Sequence, residues 1–363
     1  MSDVYDRLAE KFDQMPQGFP STDSGIELQI LRRIFSPEDA EMALNIGPMP
    51  ETAKAIADRL GKPEEEMRDT LDKMAKKGQI HSVTMSGAQV YCFVAFMPGV
   101  WEFQVLRADM DKAEDKELLQ LCHEYYPSMM KKVGGYEPGL ARTVPINVQV
   151  EGESQIQPYE NVRKIIGQAK SVILLDCQCR KELKILGKGC DHTIENCLWF
   201  SMDENAFDYF RIGGRVISIE EAKAVLEKAE EEGLVHNTFY NVKEGQIAVC
   251  NCCSCSCALL RGVKKLGAAN AIAKSNYVAL IDQDTCSKCG VCADERCPMD
   301  AIAEEGDGYR VLPDVCIGCG ACTVTCPTES ITLVQRPESE QNQPADDIFD
   351  WFGKRAASRG MGA

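Results

Sequence analysis

The chain has 363 residues, with 40 Lys and Arg against 56 Asp and Glu for a formal charge of −16, and it carries 19 cysteines. A content of 44% hydrophobic and 26% charged residues supports ordinary buried cores and excludes a disordered, collagen-like or small disulfide-stapled chain. The length fits roughly two or three domains.

The opening MSDVYDRLAEKFDQMPQGFP has acidic residues where a secretory signal carries a basic head and an apolar middle. With no apolar run of about 18 residues anywhere, the expected location is the cytoplasm, without membrane insertion. Residues 1–30 read as an N-terminal arm. Ser36-Pro37 then offers an N-cap and a first-turn proline, followed by Asp39 and by Met42, Ala43 and Ile46 at helical spacing. A second helix fits Thr52–Leu60 before Gly61, and a third fits Pro63–Lys77 with Met67, Leu71 and Met74 on one face. His81–Phe96 alternates around Ser86-Gly87 as a hairpin does. Three short helices and a hairpin over 31–105 resemble the winged-helix fold. Its groove-reading helix would begin Lys62-Pro63-Glu64-Glu65-Glu66, and three carboxylates there oppose phosphate, so a docking or scaffold role is expected and nucleic acid is not. Residues 106–145 read as a helical linker with Gly-Gly-Tyr-Glu-Pro-Gly at 134–139.

Cysteine usage changes at this point. Only Cys92 and Cys122 precede residue 177, and both read as small buried apolar residues, whereas seventeen thiols fall between Cys177 and Cys326. In a reducing compartment these are ligands or reactive groups rather than disulfides. Residues 146–266 read as a cysteine-rich α/β domain. The buried strand 171–176 delivers Cys177 and Cys179, with Cys190 and Cys197 after it, and Gln246–Val249 delivers Cys250, Cys252, Cys253, Cys255 and Cys257. Between them lies an amphipathic helix over Ser218–Glu232. In an extended run Cys250 and Cys252 face one side and Cys253, Cys255 and Cys257 the other, so the run either curls around something or serves two sites. Arg180, Lys181, Lys184, Lys188, Arg261, Lys264 and Lys265 lie close in sequence and suit anionic metal–sulfur groups. Three readings stand for the nine thiols: one or two further iron–sulfur clusters, which soft thiolates favour; zinc, whose usual pair spacing differs; and a redox dithiol. His192 reads as a hydrogen-bonding residue rather than a ligand.

Residues 270–335 carry the most specific motif, Cys286-x2-Cys289-x2-Cys292-x4-Cys297-Pro298 followed by Cys316-x2-Cys319-x2-Cys322-x3-Cys326-Pro327. Gly290 and Gly320 follow the second cysteine of each half, and Ile302 and Ile331 stand five residues after the fourth. This resembles the bacterial two-cluster ferredoxins. The resemblance implies two [4Fe-4S] clusters, one held by Cys286, Cys289, Cys292 and Cys326 and the other by Cys297, Cys316, Cys319 and Cys322, because the fourth cysteine of each half serves the opposite cluster. The first half departs by one extra residue within Ala293-Asp294-Glu295-Arg296. A strand at 278–281 is expected to partner one near 309–312, with Tyr277 and Tyr309 beside the clusters or as plain strand aromatics. Residues 277–335 hold 3 basic and 10 acidic groups, a charge that suits docking to a basic patch on a redox partner, whether a flavoprotein or an iron–sulfur oxidoreductase.

From 336 to 363 a Glu-, Gln-, Asp- and Pro-rich tail reads as mobile, with the aromatic knot Ile348-Phe349-Asp350-Trp351-Phe352 docking on a partner or folding back. The overall class is α+β multidomain. The domain order resembles multidomain iron–sulfur proteins of anaerobic bacteria and archaea, in which a glycine and a further cysteine are expected where this chain has Ser254 and Ser256. With no Rossmann or P-loop fingerprint, the expected function is a single-electron relay between redox enzymes in anaerobic metabolism, with no catalytic residue assigned. A reductase acting at the middle-domain thiols and a redox-sensing regulator are the alternatives.

Overall fold

Caps and apolar stripes account for the front half of the chain. The computed structural model describes residues 3–146 and 157–362, so the opening of the expected middle domain, 147–156, lies outside the described residues. Helix α1 (Val4–Asp13) starts at Asp3, whose carboxylate accepts the Tyr5 N–H while Asp6 accepts the Asp3 N–H, and it buries Tyr5, Leu8 and Phe12. With α2 (Ile26–Ile34), which buries Ile30 and Leu31, this turns the expected N-terminal arm into part of the core. The 5, 8, 12 spacing is a helical stripe and needs a surface to cover.

Helices α3 (Pro37–Leu44), α4 (Ala53–Leu60) and α5 (Glu64–Lys76) follow, the first capped by Ser36 as expected and the second by Thr52, which stands just before the helix rather than as its first residue. Strands β1 (His81–Met85) and β2 (Ala88–Cys92) pair antiparallel across Ser86-Gly87. Cys92 and Cys122 are buried. Next come α6 (Trp101–Arg107) and α7 (Ala113–Val133). The segment expected to link domains does otherwise: α7 buries eight residues, including Leu119, Cys122, Tyr125 and Met130, and β3 (Ala141–Val144), buried at all four positions, joins the middle sheet. The eight fall on one broad face at helical spacing, so α7 covers a core with that face while Lys116, Glu117, Glu124, Lys131 and Lys132 are exposed.

The middle sheet runs β6-β4-β5-β8-β7-β3-β9. Its chain order is α8 (Val162–Gly167), β4 (Ser171–Asp176), α9 (Gln178–Ile185), β5 (Glu195–Ser201), β6 (Arg215–Ile217), α10 (Ile219–Glu231), β7 (Val235–Phe239), β8 (Ala248–Cys252), α11 (Ala258–Leu266) and β9 (Ile272–Ala273). Every neighbouring pair is antiparallel except β3 with β9. The expected α/β pattern is thereby corrected: helices alternate with strands along the chain, yet the sheet they cover is antiparallel.

At the far end β10 (Tyr277–Ile281) pairs with β13 (Ile331–Gln335), and β11 (Ile302–Glu305) with β12 (Gly308–Val311). The expected partnership of 278–281 with 309–312 is replaced, because the tight Gly306-Asp307 turn pairs β12 with its sequence neighbour. The tail folds back as well. Asp347 caps α12 (Ile348–Ser358), in which Trp351 and Arg355 are fully buried. Trp351 Nε1 donates to the Gly139 carbonyl at 2.9 Å, and Arg355 donates to the carbonyls of Pro16, Val133, Tyr136 and Pro138.

Trp351→Ala removes an anchor that the fold covers completely, and a loss of about 3–5 kcal/mol in urea unfolding is expected. Glu102, 3% exposed and accepting the Gly99 N–H at 2.6 Å, is pushed by burial from its ordinary value of 4.5 up to about 8. It keeps its proton in the fold and loses it on unfolding. Its contribution is therefore full below 4.5 and is lost as pH rises through about 8, with a slope of about 1.4 kcal/mol per pH unit in between. Glu102→Gln is expected to remove that slope, read from urea midpoints at about pH 5.5 and 7.5.

Candidate metal centres

The register of the middle sheet brings the thiols together. Cys197 on β5 lies opposite Cys250 on β8, with the sulfurs 3.9 Å apart, and alternation puts Cys252 on the same face as Cys250. Cys177 and Cys257 stand at the N-caps of α9 and α11, and Cys179 sits in the first turn of α9, where its sulfur accepts the Ala258 N–H at 3.4 Å. Two helix N-termini thus meet the sulfurs, an arrangement that stabilises negative charge. Cys177, Cys179, Cys197, Cys250, Cys252 and Cys257 line one cavity of about 40 Å³, closed from the front half by Met97, Pro98, Trp101 and Glu102.

Six thiols this close, three of them buried and three partly so, cannot all ionise. The neighbouring thiol and burial hold Cys177 well above the usual thiol range, and Cys197 and Cys252 do the same to Cys250. Hydrogen bonds from Cys250 and Cys257 pull Cys252 down to about 5. Such a ring shares its protons in the way that a soft cation would replace them.

The other three thiols lie apart. The sulfurs of Cys190, Cys253 and Cys255 fall within 4.8 Å of one another. The nine expected ligands therefore divide six to three. The split follows strand alternation except at Cys257, which the 254–256 turn carries back to join Cys250 and Cys252. Of the seven basic residues near the motif, Arg180 is the one that reaches the sulfurs among the described contacts, donating from Nε to Cys253 at 3.4 Å. Lys181 and Lys264 pair with Asp176 and Asp300, and Arg261 lies over the Tyr126 ring. His192 faces Glu232 at 3.7 Å and joins neither group.

At the C-terminal end, two cavities of about 20 Å³ take the two crossed sets of four. Cys286, Cys289, Cys292 and Cys326 line one with Tyr309, and Cys297, Cys316, Cys319 and Cys322 line the other with Met299 and Ile317, Cys322 reaching the wall of both. Tyr277 is buried in the core behind the second set. The two sets differ in exposure: Cys289 is exposed, whereas Cys316, Cys319 and Cys322 are each 8% exposed and share a hydrophobic core with Cys252 and Cys257. Gly320 has φ +81°, and a Cβ there would meet the Ile146 carbonyl at 2.4 Å; the Ile146 N–H in turn donates to the Cys319 carbonyl at 3.0 Å. The extra residue of the first half has a role that its spacing alone does not reveal. Arg296 donates to the carbonyls of Glu230 and Glu231 at 3.2 and 3.1 Å, tying this loop to the C-terminal end of α10.

A family model described as a 4Fe-4S dicluster domain matches residues 279–327. A ferredoxin of Alicyclobacillus acidocaldarius is 51% identical over 61 residues, which is 17% of this chain and 78% of that protein. Through this segment the chain belongs to the 4Fe-4S dicluster ferredoxins. A ferredoxin of Saccharopolyspora erythraea is 49% identical over 71 residues, covering 19% of this chain and 67% of its own length. A protein named Ferredoxin 7Fe from Hydrogenibacillus schlegelii is 54% identical over 37 residues, 10% of this chain and 47% of that relative, so the chain spans about half of it. No solved structure matches the chain.

The ferredoxin domain supports iron–sulfur clusters, and its residues fit them: soft thiolates gather around enclosed cavities, with no side chain where Gly320 approaches the backbone. When bound, such clusters supply one-electron chemistry. Gly320→Ala is expected to lower stability by more than Gly306→Ala. Both pay the strain of positive φ, about 1–3 kcal/mol, but Gly306 has open space and Gly320 does not. The difference is read as the rate at which the cluster absorbance bleaches in denaturant.

Proposed function

We propose that the chain is an electron-transfer protein or subunit that relays single electrons between an external redox enzyme and the six-thiol cavity of its middle sheet. On this reading the ferredoxin domain holds two [4Fe-4S] clusters on the crossed ligand sets, and the cavity holds a further iron–sulfur cluster. One observation carries it. The inner ligand set, through Cys316, Cys319 and Cys322, shares its hydrophobic core with Cys252 and Cys257, while the outer set reaches solvent at Cys289. An electron then has an outside end and an inside end. The low polarity around the inner set excludes water from the passage.

Charge supports the outer end as the docking face. Asp282, Asp284, Asp294, Glu295, Glu304, Glu305 and Asp307 are exposed in the same domain as Cys289 and suit a basic patch on a flavoprotein or iron–sulfur oxidoreductase. The front unit of α3, α4, α5 and the hairpin, winged-helix-like in its element order, is read as a scaffold. Glu64, Glu65 and Glu66 are exposed at the start of α5 and oppose nucleic acid. Among the described residues no helix is long and apolar enough to cross a membrane.

The test is iron, acid-labile sulfide and reduced-state paramagnetic resonance on anaerobic full-length protein. Wild type is expected to hold about twelve irons, with a signal lost in Cys197→Ser and Cys250→Ser and the ferredoxin signals retained. In rapid-freeze experiments with an external reductant, Cys319→Ser is expected to leave the cavity signal slow to appear. About eight irons, none dependent on Cys197 or Cys250, would overturn the inner terminus of the relay.

A further inference from the structure

We propose that Cys190, Cys253 and Cys255 form a mononuclear tetrahedral zinc site, separate from the six-thiol cavity. The spacing of the sulfurs is the first ground. Cys190 Sγ and Cys253 Sγ are 3.8 Å apart, and all three sulfurs lie within 4.8 Å of one another. Three thiolates bound to a single zinc at about 2.3 Å in tetrahedral geometry stand about 3.8 Å apart. Cubane ligands each bind a different iron, so three ligands of one cluster do not converge on a single point in this way. The molecule contains its own comparison, because neither four-cysteine set of the ferredoxin domain brings three sulfurs within 4.8 Å. The triad is spaced for one ion.

Chain geometry is the second ground. Cys190 comes from the loop between α9 and β5, whereas Cys253 and Cys255 flank Ser254 just beyond β8, so two segments 63 residues apart converge. The sequence spacing C-x-C is short for zinc, but the third sulfur arrives through the fold. Among the described residues no His, Asp or Glu joins the group. A further oxygen donor stands beside it in the buried Ser256 hydroxyl, 3.2 Å from Cys190 Sγ. Three protein ligands with a fourth position beside a hydroxyl is an arrangement zinc accepts readily.

Electrostatics is the third. A zinc ion with three thiolates carries one net negative charge, and binding releases three thiol protons. The fully buried Arg180 compensates that charge: Nε donates to Cys253 Sγ at 3.4 Å, while its two other nitrogens are held by the carbonyls of Asn251 and Thr193. A guanidinium fixed at three points cannot swing away. Cys253 is buried and Cys255 is exposed, so the ion has an entry path from solvent.

Elemental analysis of the full-length anaerobic protein, before and after titration with Zn²⁺ against a colorimetric chelator, tests the site. Wild type is expected to retain one zinc per chain. Cys255→Ser, at an exposed position, is expected to bind it at least tenfold more weakly with iron unchanged. Co²⁺ loaded in place of zinc should give a thiolate-to-cobalt charge-transfer band that Cys253→Ser and Cys255→Ser both lose. Loss of iron in step with Cys255→Ser would overturn the proposal in favour of a cluster ligand. A reversible Cys190–Cys253 disulfide in protein that takes up no zinc would overturn it in favour of a redox dithiol. These outcomes are independent of the relay, which is tested by Cys197 and Cys250.

Discussion

The antiparallel pairing of β5 with β8 is the constraint on which the chemistry of this protein depends. It sets Cys197 across from Cys250 and, through the two-residue period of a strand, sends Cys252 to the same side. One residue beyond the strand, Cys253 faces away, and the turn at 254–256 returns Cys257 while leaving Cys255 behind. A slip of one residue in β8 would turn Cys250 and Cys252 to the opposite face, away from Cys197. The adjacent cysteines at 252 and 253 are thus a division point, and Arg180 occupies the space between the two groups with its charge buried.

Around that pairing, the rest of the fold works as enclosure. The front half supplies Met97, Pro98, Trp101 and Glu102 to the wall of the six-thiol cavity, so its helical body covers the sheet rather than standing off as a separate module. The C-terminal helix closes the opposite seam. Its Arg355 satisfies carbonyls at the end of α7 and near Pro16, and Asn342 accepts from Arg142, which is itself paired with Glu160 at 2.7 Å in full burial. Glu160 also accepts the Asn276 N–H at 2.8 Å at the entrance to the ferredoxin domain. A buried ion pair satisfied on this many sides fixes geometry more than it adds stability.

The ferredoxin domain is asymmetric in context although its sequence is nearly repeated. Its second half lies against the middle sheet, with Gly320 pressed to Ile146 and three cysteines nearly buried, and its first half faces solvent with most of the acidic charge. The one-residue departure from the repeat lies at the boundary between these environments, where Arg296 binds the last carbonyls of α10. The domain thus has an outer end, where Cys289 is exposed, and an inner one, where Cys316, Cys319 and Cys322 are buried.

What the sequence by itself determined was local. The caps at Ser36 and Ser218, the stripe Met67-Leu71-Met74 and the ferredoxin cysteine motif were legible because each depends on spacings of a few residues. The 5, 8, 12 stripe of α1 was equally local, and an acidic flank hid it. The aromatic knot of the tail left docking on a partner and folding back both open, and composition could not choose between them, because it says nothing about Trp351 finding the Gly139 carbonyl 212 residues away. The partner of β10, the antiparallel order of the middle sheet and the six-to-three division of the thiols were likewise decided in three dimensions. A cysteine's neighbours along the chain mark it as a candidate ligand. Which sulfurs meet is settled by strand register and by the turn that follows, and register is a property of the packed sheet.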